Sequence, residues 1–315
     1  MQEGTAGETG AAVADAVPGN WVDHLAPPAA RPYLRLARAD RPIGAWLLLW
    51  PCWWSVALAA RVKGWDLGDL WHLALLIVGA FVMRGAGCTY NDILDRDIDA
   101  KVERTRSRPL PSGQVGLRAA LAFLAAQALL GLAVLLQFNR FTVGLGLLSL
   151  LPVAVYPLMK RITYWPQTVL GLSFGWGALM GWAAAFGTLS AAPLVLYAAA
   201  IAWIIGYDTI YAHQDKEDDA LIGVKSTALR FGERTKPWLT AFYALFWLGA
   251  LAAGKLAGTG SMYLLALVLV ALHLAWQVVT LETSDPANCL TRFRSNHLLG
   301  AVLFLGLIAD ALLPQ

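Results

Sequence analysis

Residues 73–99 read LALLIVGAFVMRGAGCTYNDILDRDID. The first part is apolar enough to lie in a membrane. The last nine residues carry four carboxylates, Asp92, Asp95, Asp97 and Asp99. Desolvation and mutual repulsion both oppose charge at the end of an apolar segment, so something must compensate it. On a helix of 100° per residue, Asp92, Asp95 and Asp99 fall within about 60° of one another, and Asp97 points away. Asn91 stands at the near edge of that stripe with a neutral oxygen. Hard divalent cations take oxygen ligands, and Mg²⁺ uses one or two carboxylates together with water and phosphate oxygens. A Mg²⁺ site is therefore one reading of the stripe; a solvated helix end is the other.

The rest of the chain sets this segment among others like it. Of 315 residues, 58% are hydrophobic and 14% charged, and mean hydropathy is +0.55. That composition belongs to a polytopic membrane protein. A span needs about 20 mostly apolar residues. Candidates lie near 43–60, 70–90, 118–137, 141–158, 166–186, 191–210, 237–256, 262–281 and 297–313. The expected architecture is an all-α bundle of nine transmembrane helices around a central cavity, capped by two long loops near 91–117 and 208–236. Residues 1–30 hold no Lys or Arg. They read as a disordered tail, neither a signal peptide nor a transit peptide, which leaves 31–315 as the membrane domain. With the N-terminus inside, twenty Lys and Arg fall on the inner side and four on the outer. The positive-inside rule then places the N-terminus and both acidic clusters in the cytoplasm, and a bacterial cytoplasmic (inner) membrane is the expected location. Cys52, Cys88 and Cys289 show no metal-ligand or redox spacing, and the five histidines are scattered.

A second acidic run, YDTIYAHQDKEDD, covers 207–219. If it is one continuous helix, Asp208, Asp215 and Asp219 fall within roughly 40°. Asp218 flanks them, and Tyr211 stands one turn beyond Asp208. Each run precedes basic residues: Lys101, Arg104, Arg106 and Arg108 after the first, Lys225, Arg230 and Arg234 after the second. Two carboxylate stripes holding two Mg²⁺ ions would grip a diphosphate, with Lys and Arg supplying further donors. Beside lipid, the diphosphate that suits such a clamp is a polyprenyl diphosphate. Neutralising its leaving group lets the allylic C–O bond ionise, and aromatic faces steady the cation. Tyr156, Tyr164, Trp165, Phe174, Trp176 and Tyr211 are candidates for those faces by position.

These motifs carry a family resemblance. NDILDRDID with RTRSRPLPSG, and DTIYAHQDKEDD with GVKSTALRFG, resemble the two motif regions of the UbiA superfamily of intramembrane prenyltransferases. RADRPIGAWLLLWPCWWS, YPLMKRITYWPQTVLGLSFGWGALMGWAA and FRSNHLLGAVLF resemble more narrowly the branch that prenylates 4-hydroxybenzoate for ubiquinone. The resemblance implies a first Mg²⁺–diphosphate site at Asn91, Asp92, Asp95 and Asp99, and a second at Asp215, Asp218 and Asp219. It implies Asp208 orienting the phenol of an aromatic acid, with Tyr211 nearby. An arginine, first Arg84 and then Arg41 or Arg161, would pair with the acid's carboxylate. Lys160, Lys225 and Arg106 are assigned to diphosphate. Other acceptors, homogentisate or dihydroxynaphthoate among them, are the nearer alternative. A divalent-cation transporter is the remoter one, because its carboxylates belong near the bilayer midplane. No nucleic-acid partner is expected.

Overall fold

The structure, a computed structural model, describes residues 19–101 and 105–313. Its elements are all helical: α1 (Trp21–Leu25), α2 (Arg31–Leu36), α3 (Ile43–Lys63), α4 (Leu67–Asp99), α5 (Leu117–Leu135), α6 (Arg140–Leu148), α7 (Leu150–Ile162), α8 (Pro166–Gly175), α9 (Gly177–Phe186), α10 (Ala191–Ala212), α11 (Lys216–Ile222), α12 (Thr227–Phe231), α13 (Thr235–Leu256), α14 (Ser261–Thr280) and α15 (Pro286–Leu312). Among the described residues, nine helical segments are long and apolar enough to cross a membrane, each matching an expected span. α6 runs into α7 and α8 into α9 as single spans. The chain is thus an all-α, multi-pass membrane protein. α4 has 33 residues, about 50 Å at 1.5 Å per residue. The hydrocarbon core is about 30 Å thick, so the helix is long enough for its acidic end to lie outside the apolar layer.

The chain divides into two compact units: residues up to Pro42 with Val82–Leu130, and Ile43–Phe81 with the remainder from Gly131. The first unit has a small core of Leu36, Leu110, Val115 and Ala120, flanked by Tyr33, Ile93 and Phe123. Gly85 lets α4 approach its neighbours, since a Cβ there would lie 2.7 Å from Gln127 Nε2 and 3.1 Å from Ala37 Cβ. The expected tail divides within this unit. Residues 1–18 lie outside the described residues, whereas Asn20 caps α1 by accepting from Val22 N at 2.9 Å, and Arg35 pairs with Asp23 at 2.8 Å.

The second unit packs α3 on α9 and α15, and α10 on α13. Its centre is aromatic, with Trp54, Trp203, Tyr207 and Phe246 buried together. Gly181 sits against the α3 backbone where a Cβ would meet Val56 N at 2.5 Å, a close approach typical of small residues between membrane helices. Two buried polar pairs cross between helices inside this unit. Trp203 Nε1 donates to Asn296 Oδ1 at 2.8 Å, and Tyr243 Oη donates to Gln277 Oε1 at 2.9 Å. In a hydrocarbon environment such groups require internal partners.

Candidate active site

In the first unit, the helical-face arithmetic holds. Asp92 and Asp95 are fully buried and Asp99 nearly so, whereas the Asp97 side chain is 91% exposed. Asn91 is half-buried. Two arginines answer the buried charge. Arg38 Nη2 donates to Asp92 Oδ1 at 2.8 Å. Arg108 Nη1 donates to Asp99 Oδ2 at 2.9 Å and lies 3.5 Å from Asp92 Oδ1. Buried carboxylates are tolerated when paired in this way.

Arg38 reaches Asp92 from a left-handed backbone, φ 58°, unique among the described non-glycine residues. That conformation costs about 1–2 kcal/mol for a residue with a side chain. The turn is held by Trp21 Nε1 donating to Ala39 O at 2.8 Å. It is held again by Arg38 Nη1 donating to Arg35 O at 3.0 Å. Arg108 rides on a packed loop. Thr105 Oγ1 donates to Asp99 O at 2.9 Å, and Leu110 and Val115 anchor the far side in the core. Sequence reasoning placed Arg108 among the loop cations without linking it to the stripe, and it assigned Arg38 no role. Of the arginines it did select, Arg106 is exposed, Arg84 is half-buried on α4, and Arg41 Nε lies 3.5 Å from Asp40 Oδ1. Arg104 lies outside the described residues.

In the second unit, the expected continuous helix is interrupted. α10 ends at Ala212, a 3₁₀ turn covers His213–Asp215, and α11 follows. Each 3₁₀ residue turns about 120° and not 100°. Three of them advance Asp215 and Asp219 by roughly 60° relative to Asp208. The single 40° stripe is therefore corrected. Asp215 and Asp219 are half-buried, Asp218 is exposed, and Asp208 is half-buried one element earlier. Buried His213 holds the turn, its Nε2 sharing a hydrogen bond with Thr235 Oγ1 at 3.0 Å. Thr209, next to Asp208, is 2.7 Å from Thr227 at their hydroxyls, which ties α10 to the basic loop. In that loop Lys225 N donates to Lys160 O at 2.8 Å, and Lys225 Nζ donates to Ile162 O at 3.1 Å. The ammonium also lies 5.6 Å from the Tyr164 ring centre. Lys160 and Lys225 are thus brought together, while Arg161 is exposed beside them. Tyr211 packs on Phe293 at 4.5 Å, Trp165 on Phe231 at 5.3 Å and Trp176 on Tyr197 at 5.7 Å.

Among the described residues, no three Asp, Glu, His or Cys side chains converge on a ready-made metal cage. Mg²⁺ does not require one, since it completes its octahedron with water and phosphate oxygens. The first stripe fits such an ion. Its donors are all oxygens, and Asp92 Oδ2 is buried with no hydrogen-bond partner among the described residues.

A profile described as the UbiA prenyltransferase family matches residues 48–307. The chain belongs to that family. It is 54% identical over 288 residues to "4-hydroxybenzoate polyprenyltransferase, mitochondrial" of Drosophila melanogaster, covering 91% of this chain and 73% of the relative. It is 52% identical over 282 residues to the enzyme of the same name from Aedes aegypti, spanning 89% of this chain and 64% of that protein's length. The apo structure of a UbiA homolog from Aeropyrum pernix K1 superposes with a TM-score of 0.70 at 27% identity, covering 85% of this chain and 98% of that one. A UbiA homolog from Archaeoglobus fulgidus bound to GPP and Mg²⁺ shares the fold, with a TM-score of 0.63 at 19% identity over 88% of this chain and 99% of that one.

These relatives overturn one expectation. They are mitochondrial enzymes by name, so the assignment of this UbiA family member to a bacterial cytoplasmic membrane is withdrawn. Loop charge reports which side of a bilayer a loop occupies and carries no information about which bilayer it is.

Proposed function

We propose that this chain transfers a polyprenyl group from polyprenyl diphosphate to the ring of 4-hydroxybenzoate, forming 3-polyprenyl-4-hydroxybenzoate for ubiquinone. The observation that carries the reading is the buried stripe of Asp92, Asp95 and Asp99, held by Arg38 and Arg108, in a chain about half identical to enzymes named for this reaction. Asn91, Asp92, Asp95 and Asp99 are one proposed Mg²⁺ site, and Asp215, Asp218 and Asp219 another. These carboxylates would hold Mg²⁺, which would supply charge neutralisation for the departing diphosphate. Lys160 and Lys225 hold diphosphate oxygens, with Arg106 in support. The allylic C–O bond breaks with its electron pair on the diphosphate. The ring carbon beside the phenol then forms the new C–C bond and loses its proton to the released diphosphate. Asp208 accepts a hydrogen bond from the phenol and raises the electron density of the ring, with Tyr211 completing that side. Arg84 pairs with the acceptor's carboxylate, and Arg41 and Arg161 are its rivals.

The test is an assay of purified protein with geranyl diphosphate, 4-hydroxybenzoate and Mg²⁺, read by mass spectrometry with and without EDTA. A ring-prenylated product that disappears with EDTA supports the reading. Product from homogentisate or dihydroxynaphthoate alone would replace the acceptor and keep the chemistry.

A further inference from the structure

Remote from either acidic run in sequence, three helix ends of the second unit meet around a pair of cations. Lys236, in the first turn of α13, donates from Nζ to Val279 O at 3.3 Å. Arg292, near the start of α15, donates from Nε to Thr280 Oγ1 at 3.3 Å, and its guanidinium lies 4.9 Å from the Trp276 ring centre. The two side chains therefore converge on adjacent residues at the C-terminal end of α14. Neither has a carboxylate partner among the described residues. Asp285, in the nearby turn, accepts from Ala287 N at 2.9 Å. The Lys236 ammonium has three N–H donors and the Arg292 guanidinium five. Each spends one on these bonds.

Cations at a helix C-terminus are ordinary capping. What capping does not explain is the surface below them. Leu265, Leu269, Leu272, Trp276 and Val279 follow one another at spacings of four and three along α14, and all are exposed. They form one apolar stripe about 21 Å long. That exceeds half the thickness of the hydrocarbon core, and Lys236 and Arg292 stand at its C-terminal end beside Trp276 and Val279. An acyl chain fits the stripe and a phosphate fits the free donors. Basic groups between helix ends on the positively charged side are how membrane proteins hold anionic headgroups.

We propose that Lys236, Arg292 and Trp276 bind the headgroup of an anionic phospholipid, whose acyl chain lies along the α14 stripe. The test titrates the purified full chain, in neutral detergent, with phosphatidylglycerol or with phosphatidylcholine of the same acyl chains, and counts bound lipid by native mass spectrometry. The wild-type chain retains one phosphatidylglycerol in preference to phosphatidylcholine. Lys236→Gln weakens that binding about fivefold, and Lys236→Gln with Arg292→Gln about thirtyfold. Arg140→Gln, an exposed cation on α6, leaves it unchanged. Equal retention of the two lipids by the wild type, or undiminished phosphatidylglycerol on the double variant, overturns the proposal. Displacement of the lipid by millimolar inorganic phosphate also overturns it, because the site then takes a free anion. If the double variant does not fold, the wild type decides. Phosphatidylglycerol should raise its melting temperature in a salt-sensitive way and phosphatidylcholine should not; equal shifts reject the site.

Discussion

Arg38 and Asp92 meet at 2.8 Å across a sequence separation of 54, and Arg38 does so from a left-handed backbone. Strain on one partner and full burial of the other mark a contact that the surrounding structure enforces. The pair leaves Asp92 Oδ2 without a hydrogen bond among the described residues, which makes that oxygen the part of the stripe most suited to a metal ion.

Backbone and guanidinium can be separated by substitution. Glycine adopts φ 58° freely and alanine does not. Arg38→Gly should therefore melt higher than Arg38→Ala, by about 1–2 kcal/mol in stability. Both should lose Mg²⁺-dependent turnover together, since neither carries the charge. Equal melting of the two variants would remove strain from the account. Normal turnover in either would remove the ion pair.

Asp95 and Asp97 test the helical face directly. Asp95 is fully buried, and the Asp97 carboxylate faces solvent with Arg96 3.5 Å away. An exposed pair of that kind is worth little. Asp95→Asn should lower kcat by a hundredfold or more (roughly the loss of one charge-stabilising group), and Asp97→Asn should stay near wild type. Equal sensitivity would mean the face is misassigned.

The loop after α4 offers two arginines two residues apart. Arg108 touches both Asp92 and Asp99, while Arg106 is exposed. Arg108→Gln should raise the Mg²⁺ concentration needed for half-maximal activity and lower the melting temperature. Arg106→Gln should alter only the KM for prenyl diphosphate. The reverse pattern would transfer the structural role to Arg106.

The 3₁₀ turn at His213–Asp215 separates the duties of the second acidic run. Asp208→Asn should change the dependence on the aromatic acceptor, and Asp215→Asn the dependence on Mg²⁺, each measured as separate kcat and KM values. Identical signatures from both variants would restore the single stripe that the turn breaks.

Much of this was legible in the residues, and the reason is locality. Nine apolar stretches became, among the described residues, nine helices long and apolar enough to span, because hydropathy and length are properties of each segment alone. Burial of Asp92, Asp95 and Asp99 with Asp97 outside followed from 100° per residue within one regular helix. The same arithmetic failed at 208–219. It assumed a regular helix where His213, drawn to Thr235 twenty-two residues away, holds a tighter turn.

By itself, then, the sequence determined an all-helical membrane chain, its family motifs and the acidic face of α4. Tertiary structure alone decided which cations answer that face. Arg38 is chosen by a left-handed turn that nothing in the stretch RLARADRP (35–42) announces, because arginine has no intrinsic preference for it. Arg108 is chosen over Arg106 because Leu110 and Val115 bury against Leu36 and fix the orientation of the loop. Contacts of this range depend on where the chain folds back, and no local period encodes that.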